Sequence, residues 1–301
     1  MYYDIISDSI KQQAFQCLLF LIFFLIIVCT FSILTAFSQN VTDKSNMNYP
    51  TSSIKGTGIS NVTVINAVGD IECSSKLRDR MMLDNPILFV ALGDLCYKRD
   101  LTNFTLTFDG LKSSNKLACV IGNHDSEENG NLKILKEALE YCGDHWYRKV
   151  ANNSTLIIGL NTNGNITLQS DWGRSLVTNS LFMTGVKNVM IVAHKPGHTP
   201  PGSDHRPENS TLQMFSSIIS NIPTGIQVFE IAAHNHLMAE SSNGKWFISG
   251  SGGRKLYNFT ADPDWSFINN KDHGYLQIKI NNTDGRILGT NFYGLDGRLI
   301  H

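Results

Sequence analysis

The sequence is poor in the features that mark several common protein classes. Its 25 basic and 26 acidic residues leave a net charge of −1, so nothing pulls it strongly toward nucleic acid or acidic lipid. None of its six cysteines stands in a C-x-x-C pair, which argues against a zinc knuckle. It has no G-x-S-x-G nucleophile elbow, so a serine esterase lacks support. It shows no internal repeat and no low-complexity block. Charged residues make up 17% and apolar residues 42% of the 301 positions. That balance fits a folded core rather than disorder, in one large domain or two small ones.

Uncharged apolar sequence is plentiful at the N-terminus. Ala14 to Phe37 reads AFQCLLFLIFFLIIVCTFSILTAF, long enough for a membrane core that needs about 20 residues. The expectation is a short tail at 1–13, a retained single-pass transmembrane helix at 14–37, a polar stalk at 38–60 and a domain at 61–301. A cleaved signal peptide is the alternative, since Ala36-Phe37-Ser38 resembles a cleavage site. Lys11 and Lys44 flank the segment evenly and barely orient it. Nine sequons, at Asn40, Asn61, Asn103, Asn152, Asn153, Asn165, Asn209, Asn258 and Asn281, favour an extracellular domain on the cell membrane, or a secreted one after cleavage. Cys17 and Cys29 fall inside the apolar segment. Cys73, Cys96, Cys119 and Cys142 allow three pairings, and an outside location permits disulfides. Cys73 and Cys96 each closely follow an aspartate, Asp70 and Asp94, so those two could meet.

Within the domain, apolar runs alternate with helical patterns. Val62–Val68, Ile87–Leu92, Leu117–Ile121, Asn188–Ala193 and Gln227–Ala233 have the length of buried strands. Leu132–Tyr141, Ser170–Phe182 and Glu208–Ile219 repeat at helical spacing. Trp246–Phe292 reads as strands with glycine-rich turns. The alternation predicts α/β layers, and the strand-rich end a mixed sheet or a sandwich of two sheets.

The polar residues that end the five runs carry the chemistry. They are Asp70, Asp94, Asn123, His194 and the pair His234/His236. One aspartate after a strand is ordinary turn chemistry. Five such endings together point to one crevice, because ligands of open α/β sheets bind at the carboxyl ends of strands. Carboxylate, amide and imidazole donors without thiolate suit Zn, Fe or Mn.

In this order, Gly69-Asp70, Gly93-Asp94, Gly122-Asn123-His124-Asp125, Ala193-His194 and His234-Asn235-His236 resemble the five motifs of the calcineurin-like metallophosphoesterases. The resemblance covers about Val62 to Ile280. Glu72 stands where that family usually has a histidine, and Tyr97 follows Asp94 by three residues. Both departures resemble the purple acid phosphatase branch, which lacks the histidine and uses the tyrosine as a ligand. Ala233 departs from a usual glycine, which would narrow the turn.

The resemblance implies a four-layer α/β/β/α sandwich of two mixed β-sheets flanked by helices. It implies two metal ions, Fe(III) with Fe, Zn or Mn. Asp70, Asp94, Tyr97 and His236 would hold one; Asp94, Asn123, His194 and His234 the other, with Asp94 bridging. Glu72 remains an alternative ligand to Tyr97. A metal-bound hydroxide would attack phosphorus in a phosphorylated small molecule or polymer, with His124 and Asp125 as catalytic residues and Asn123, His124 and His205 binding substrate. Asp125 would orient the His124 ring. His198 is the alternative to His205, and Arg206 is either a phosphate ligand or a solvated surface residue. The competing reading is a membrane-anchored scaffold that keeps the fold without turnover. Beyond the membrane segment, the sequence points to no partner and no oligomeric state.

Overall fold

Each of the five apolar runs forms a strand in the computed structural model, which describes residues 61–98, 100–126 and 132–301. The apolar segment 14–37 and the stalk 38–60 lie outside the described residues. Among the described residues no helix is long and apolar enough to cross a membrane.

Along the chain the elements are β1 (Val62–Val68), α1 (Ser75–Met82), β2 (Leu88–Ala91), α2 (Thr102–Ser113), β3 (Leu117–Cys119), a 3-10 turn (Asn123–Asp125), α3 (Leu132–Cys142), β4 (His145–Val150), β5 (Thr155–Leu160), α4 (Ile166–Thr178), α5 (Ser180–Met183), β6 (Asn188–Val192), α6 (Asn209–Ile219), β7 (Gln227–Ala232), β8 (Met238–Ser241), β9 (Trp246–Ser249), β10 (Trp265–Asn269), β11 (Gly274–Asn281) and β12 (Ile287–Gly294). They build a five-stranded sheet in the order β12-β11-β1-β2-β3 and a seven-stranded sheet in the order β10-β8-β9-β7-β6-β5-β4. Both sheets are mixed. β1, β2 and β3 run parallel, as do β5, β6, β7 and β9, while β11, β12, β4, β8 and β10 join antiparallel.

The layering follows from the two-residue period of a strand. Leu88 and Val90 of β2 face inward with Met190 and Val192 of β6 and Ile231 of β7, forming a core between the sheets. Phe89 and Ala91, one residue out of step, face the other way onto Leu77 and Met81 of α1, Phe104 and Phe108 of α2 and Ile134 of α3. Val189 and Ile191 likewise turn outward onto Val177 of α4 and Met214, Phe215 and Ile218 of α6. The result is helices, sheet, sheet, helices.

The helix expected over Ser170–Phe182 is two elements. α4 starts earlier, where the Asn165 side chain accepts from the Leu168 N–H at 3.1 Å. It ends at Asn179, whose extended backbone stops the helix and whose side chain caps α5. The hairpin β4–β5 is an added feature. There Gly159 faces Trp146 across the pair, and a Cβ on Gly159 would strike the indole. The Trp146 Nε1–H donates to the Cys119 carbonyl at 2.7 Å, which ties the edge of the second sheet to β3.

The cysteines pair Cys73–Cys96 and Cys119–Cys142. The first joins the loop after β1 to the loop after β2; the second pins α3 to β3.

Phe108 is fully buried and packs against Phe104 and Phe89 with ring centroids at 4.8 and 5.2 Å. Phe108→Ala is therefore expected to lower unfolding free energy by about 3–5 kcal/mol, read as a fall in the denaturation midpoint in guanidinium.

Candidate metal centre

All the sequence-predicted ligands lie on loops that leave the carboxyl ends of parallel strands. Asp70 follows β1, Asp94 and Tyr97 follow β2, and Asn123 follows β3, all from the first sheet. His194 follows β6, and His234 and His236 follow β7, from the second. The loops after β1 and β2 run side by side. The Asp70 N–H donates to the Gly93 carbonyl and the Ile71 N–H to the Asp94 carbonyl, both at 3.1 Å, and the Cys73–Cys96 disulfide closes the pair.

Four of the ligand residues have left-handed backbones: Asp70 (φ 57°), Asp94 (φ 52°), Tyr97 (φ 51°) and His234 (φ 68°). Such non-glycine conformations cost on the order of 1 kcal/mol or more each and concentrate at functional sites. Close packing holds them. A Cβ on Gly122 would fall on the Asp94 carboxylate and backbone nitrogen. The Ala233 methyl occupies the space that Gly69 leaves open, since a Cβ on Gly69 would collide with it.

The donors gather into two groups. In the first, the Tyr97 hydroxyl lies 2.6 Å from Asp70 Oδ1 and 3.0 Å from His236 Nε2, and that nitrogen lies 3.2 Å from Asp70 Oδ1. In the second, His194 Nε2 lies 2.9 Å from Asn123 Oδ1, 3.2 Å from His234 Nδ1 and 3.4 Å from Asp94 Oδ1. Asp94 belongs to both, since it also faces the Tyr97 hydroxyl. One ligand atom each from Asp70, Asp94 and His194 falls within 4.8 Å of the others, so these three form a group able to hold a metal ion.

Two histidines carry a further sign of ligation. His194 Nδ1 lies 2.8 Å from the Leu92 carbonyl, and His236 Nδ1 lies 2.9 Å from the Lys255 carbonyl. A carbonyl only accepts, so each Nδ1 carries the proton and each Nε2 turns its lone pair into the cluster, as second partners of metal-bound histidines do. The residues present therefore fit a metal.

The electrostatics agree. Burial, then the charge of Asp70, pushes the Asp94 carboxyl up to about 7. For Asp70 burial is outweighed by the His236 hydrogen bond, the nearby imidazoles and the Tyr97 hydroxyl, and its carboxyl falls below the ordinary range. Burial keeps His194 and His234 neutral, the state a ligand needs. His236 moves the other way, because its bond to Asp70 overcomes burial.

Around the cluster, His124 is partly exposed, with Nε2 3.9 Å from Asp94 Oδ2. Asp125 is fully buried and accepts from the backbone N–H groups of Leu95 and Gly122 at 2.9 and 3.0 Å. That carboxylate locks two motif loops together. His205 stacks on His234 with centroids at 3.9 Å. His198 points elsewhere, to Glu230 at 3.0 Å and onto Trp246. Glu72 turns away from the donors to Arg254 at 3.0 Å, leaving Tyr97 in the cluster. Arg206 is exposed. Sequence reasoning missed Tyr257, stacked on His236 at 3.9 Å, and Arg254, 4.2 Å over the Tyr97 ring. Both lie beyond the glycine-rich turn after β9, and no strand-end pattern marks them.

No protein-family model and no curated protein matches the sequence. Among solved structures, the purple acid phosphatase PPD1 from yellow lupin (Lupinus luteus) seeds superposes with a TM-score of 0.58 at 13% identity, over 79% of this chain and 52% of the lupin chain. The fold is that of the calcineurin-like metallophosphoesterases. This chain spans about half the length of the lupin enzyme. GAP50, the anchor in the inner membrane complex of Plasmodium, superposes with a TM-score of 0.58 at 14% identity, over 80% of this chain and 87% of its own.

The raised Asp94 carboxyl makes metal removal pH-dependent. Its folded value of about 7 exceeds the ordinary 3.8, so between those values the folded state binds the extra proton. In chelated protein this contribution to stability is full below about pH 4 and lost as pH rises through 7. Thermal melts in EDTA should show the melting temperature falling between pH 5 and pH 8, and Asp94→Asn should remove part of that fall, on the order of 1–3 kcal/mol, since burial and the charge of Asp94 push the Asp125 carboxyl up to about 7 as well.

Proposed function

We propose that this chain is a metal-dependent phosphoesterase with a dinuclear centre. The observation that carries the reading is the convergence of seven coordinating side chains into two donor groups that share Asp94. Asp70, Asp94, Tyr97 and His236 would hold one ion; Asp94, Asn123, His194 and His234 the other. A phenolate at the first site favours Fe(III), and the second suits Fe, Zn or Mn. Bound there, the cations supply charge to neutralise a phosphate ester and to acidify a water.

The chain's own groups do the rest. Asn123 and His124 sit at the start of the same 3-10 turn, where an amide and an imidazole can meet phosphate oxygens. His124 is exposed enough to reach a leaving oxygen and stabilise or protonate it. His205, stacked beside His234, extends the substrate-facing wall. Asp125 keeps the motif loops in register.

The second reading, a non-catalytic scaffold, is favoured by the likeness to GAP50, an anchor of similar extent. The full donor set argues for turnover. Purified protein should contain two metal ions per chain and hydrolyse 4-nitrophenyl phosphate or its bis ester. Asp94→Asn should lose at least about a hundredfold of that activity. Fewer than two ions per chain, or no hydrolysis of either ester, would favour the scaffold, and a fully active Asp94→Asn would refute the bridging role of Asp94.

For location we propose an outward-facing domain, anchored through residues 14–37 or secreted after cleavage there. Two disulfides and exposed asparagines at the Asn61, Asn103, Asn152, Asn209 and Asn258 sequons support an oxidising, glycosylating compartment. Protein from its native cells should migrate faster on denaturing gels after enzymatic deglycosylation; an unchanged mobility would oppose this location.

A further inference from the structure

Beside the metal donors lies a cation that the proposed reaction does not use. The isolated bridge between Ile71 and Gly253 fixes the loop after β9 against the loop after β1. It sets Arg254 at the edge of the cluster, with its guanidinium carbon 4.2 Å from the centroid of the Tyr97 ring. The hydroxyl of that ring is 2.6 Å from Asp70. Stacking on the aromatic face holds the guanidinium plane. Its hydrogen-bonding capacity is only partly used: Nη1 donates to Glu72 at 3.0 Å, while the buried Nε has no partner. The side chains of Arg254 and Glu72 are 42% and 49% exposed, and an ion pair so open to water is weak.

We propose that Arg254 forms a subsite for a second anionic group on the substrate, so that the preferred substrates are phosphate esters carrying another phosphate or a carboxylate beside the scissile phosphate. A guanidinium presents a planar fork that matches either group with two parallel bonds. Glu72 takes a single bond from that fork, through Nη1. The incoming anion displaces it, and Glu72 returns to water. Tyr257, stacked on His236 at 3.9 Å, belongs to the same loop as Arg254 and walls the cluster beside it. This inference rests on the phosphoesterase reading for the position of the scissile phosphate.

The test measures binding rather than turnover, with ligands that cannot be hydrolysed. Ethylphosphonate, 3-phosphonopropionate and ethane-1,2-bisphosphonate are titrated calorimetrically into the full-length protein with manganese present. The wild type should bind the second or third ligand about 10–100-fold more tightly than the first. Which of the two is favoured tells carboxylate from phosphate. Arg254→Ala should shrink that preference at least about tenfold, and Arg254→Lys, which keeps the charge but not the fork, should retain part of it. Glu72→Gln, which removes the competitor, should widen it. A wild type without preference, or a preference that survives Arg254→Ala, overturns the subsite. Failure to hydrolyse both 4-nitrophenyl phosphate and its bis ester would refute the esterase reading while leaving this binding result standing.

Discussion

Asp70 and Asp94 are almost completely shielded from water, and the charge of Asp70 bears on Asp94. Two buried carboxylates side by side are tolerable only if donors and positive charge are brought to them. Much of the local architecture answers that requirement. The His234 N–H and the Tyr97 hydroxyl serve Asp70 at 2.9 and 2.6 Å, and the His124 N–H serves Asp94 at 2.9 Å. The left-handed residues, the bare Gly122 and the paired loops exist to bring these groups within reach. Burial holds the imidazoles of His194 and His234 neutral, so they could offer lone pairs to a cation that would supply the missing charge.

Much of this was legible in the sequence, for a physical reason. A strand buried on both faces is an unbroken apolar run, so the polar residue that ends it stands out. β1, β6 and β7 begin at the expected residues, Val62, Asn188 and Gln227. Where burial is partial the signal fades. β4 reads HWYRKV and lies at a sheet edge with only Trp146 and Val150 buried, so it has no apolar run to notice. α1 buries only Leu77 and Met81 and passes for a polar loop. The break between α4 and α5 turns on one side chain, Asn179, whose capping role depends on backbone geometry. Tyr257 and Arg254 were invisible because their importance lies in contacts with His236, Tyr97 and Glu72, more than 15 residues away, and no local pattern encodes such contacts.

The two structural neighbours frame the same fold in different employments, a phosphatase and an anchor. What separates such employments is chemistry at the strand ends rather than the sandwich itself. Here every strand-end position in question bears a side chain able to coordinate, and Arg254 stands beside them over the Tyr97 ring.

The division of donors between the sheets has a consequence for assembly. Oxygen donors, from Asp70, Asp94, Tyr97 and Asn123, come from the first sheet. Every imidazole donor comes from the second. Asp70 and His234 stand 164 positions apart in the chain. Neither sheet alone holds a mixed donor set, so a nascent chain could not assemble one before His194 had emerged, nor the full set before His236 had followed and the sheets had docked. Once captured, ions spanning that seam would rivet the two halves together, making occupancy of the centre a structural fastening as well as a chemical one.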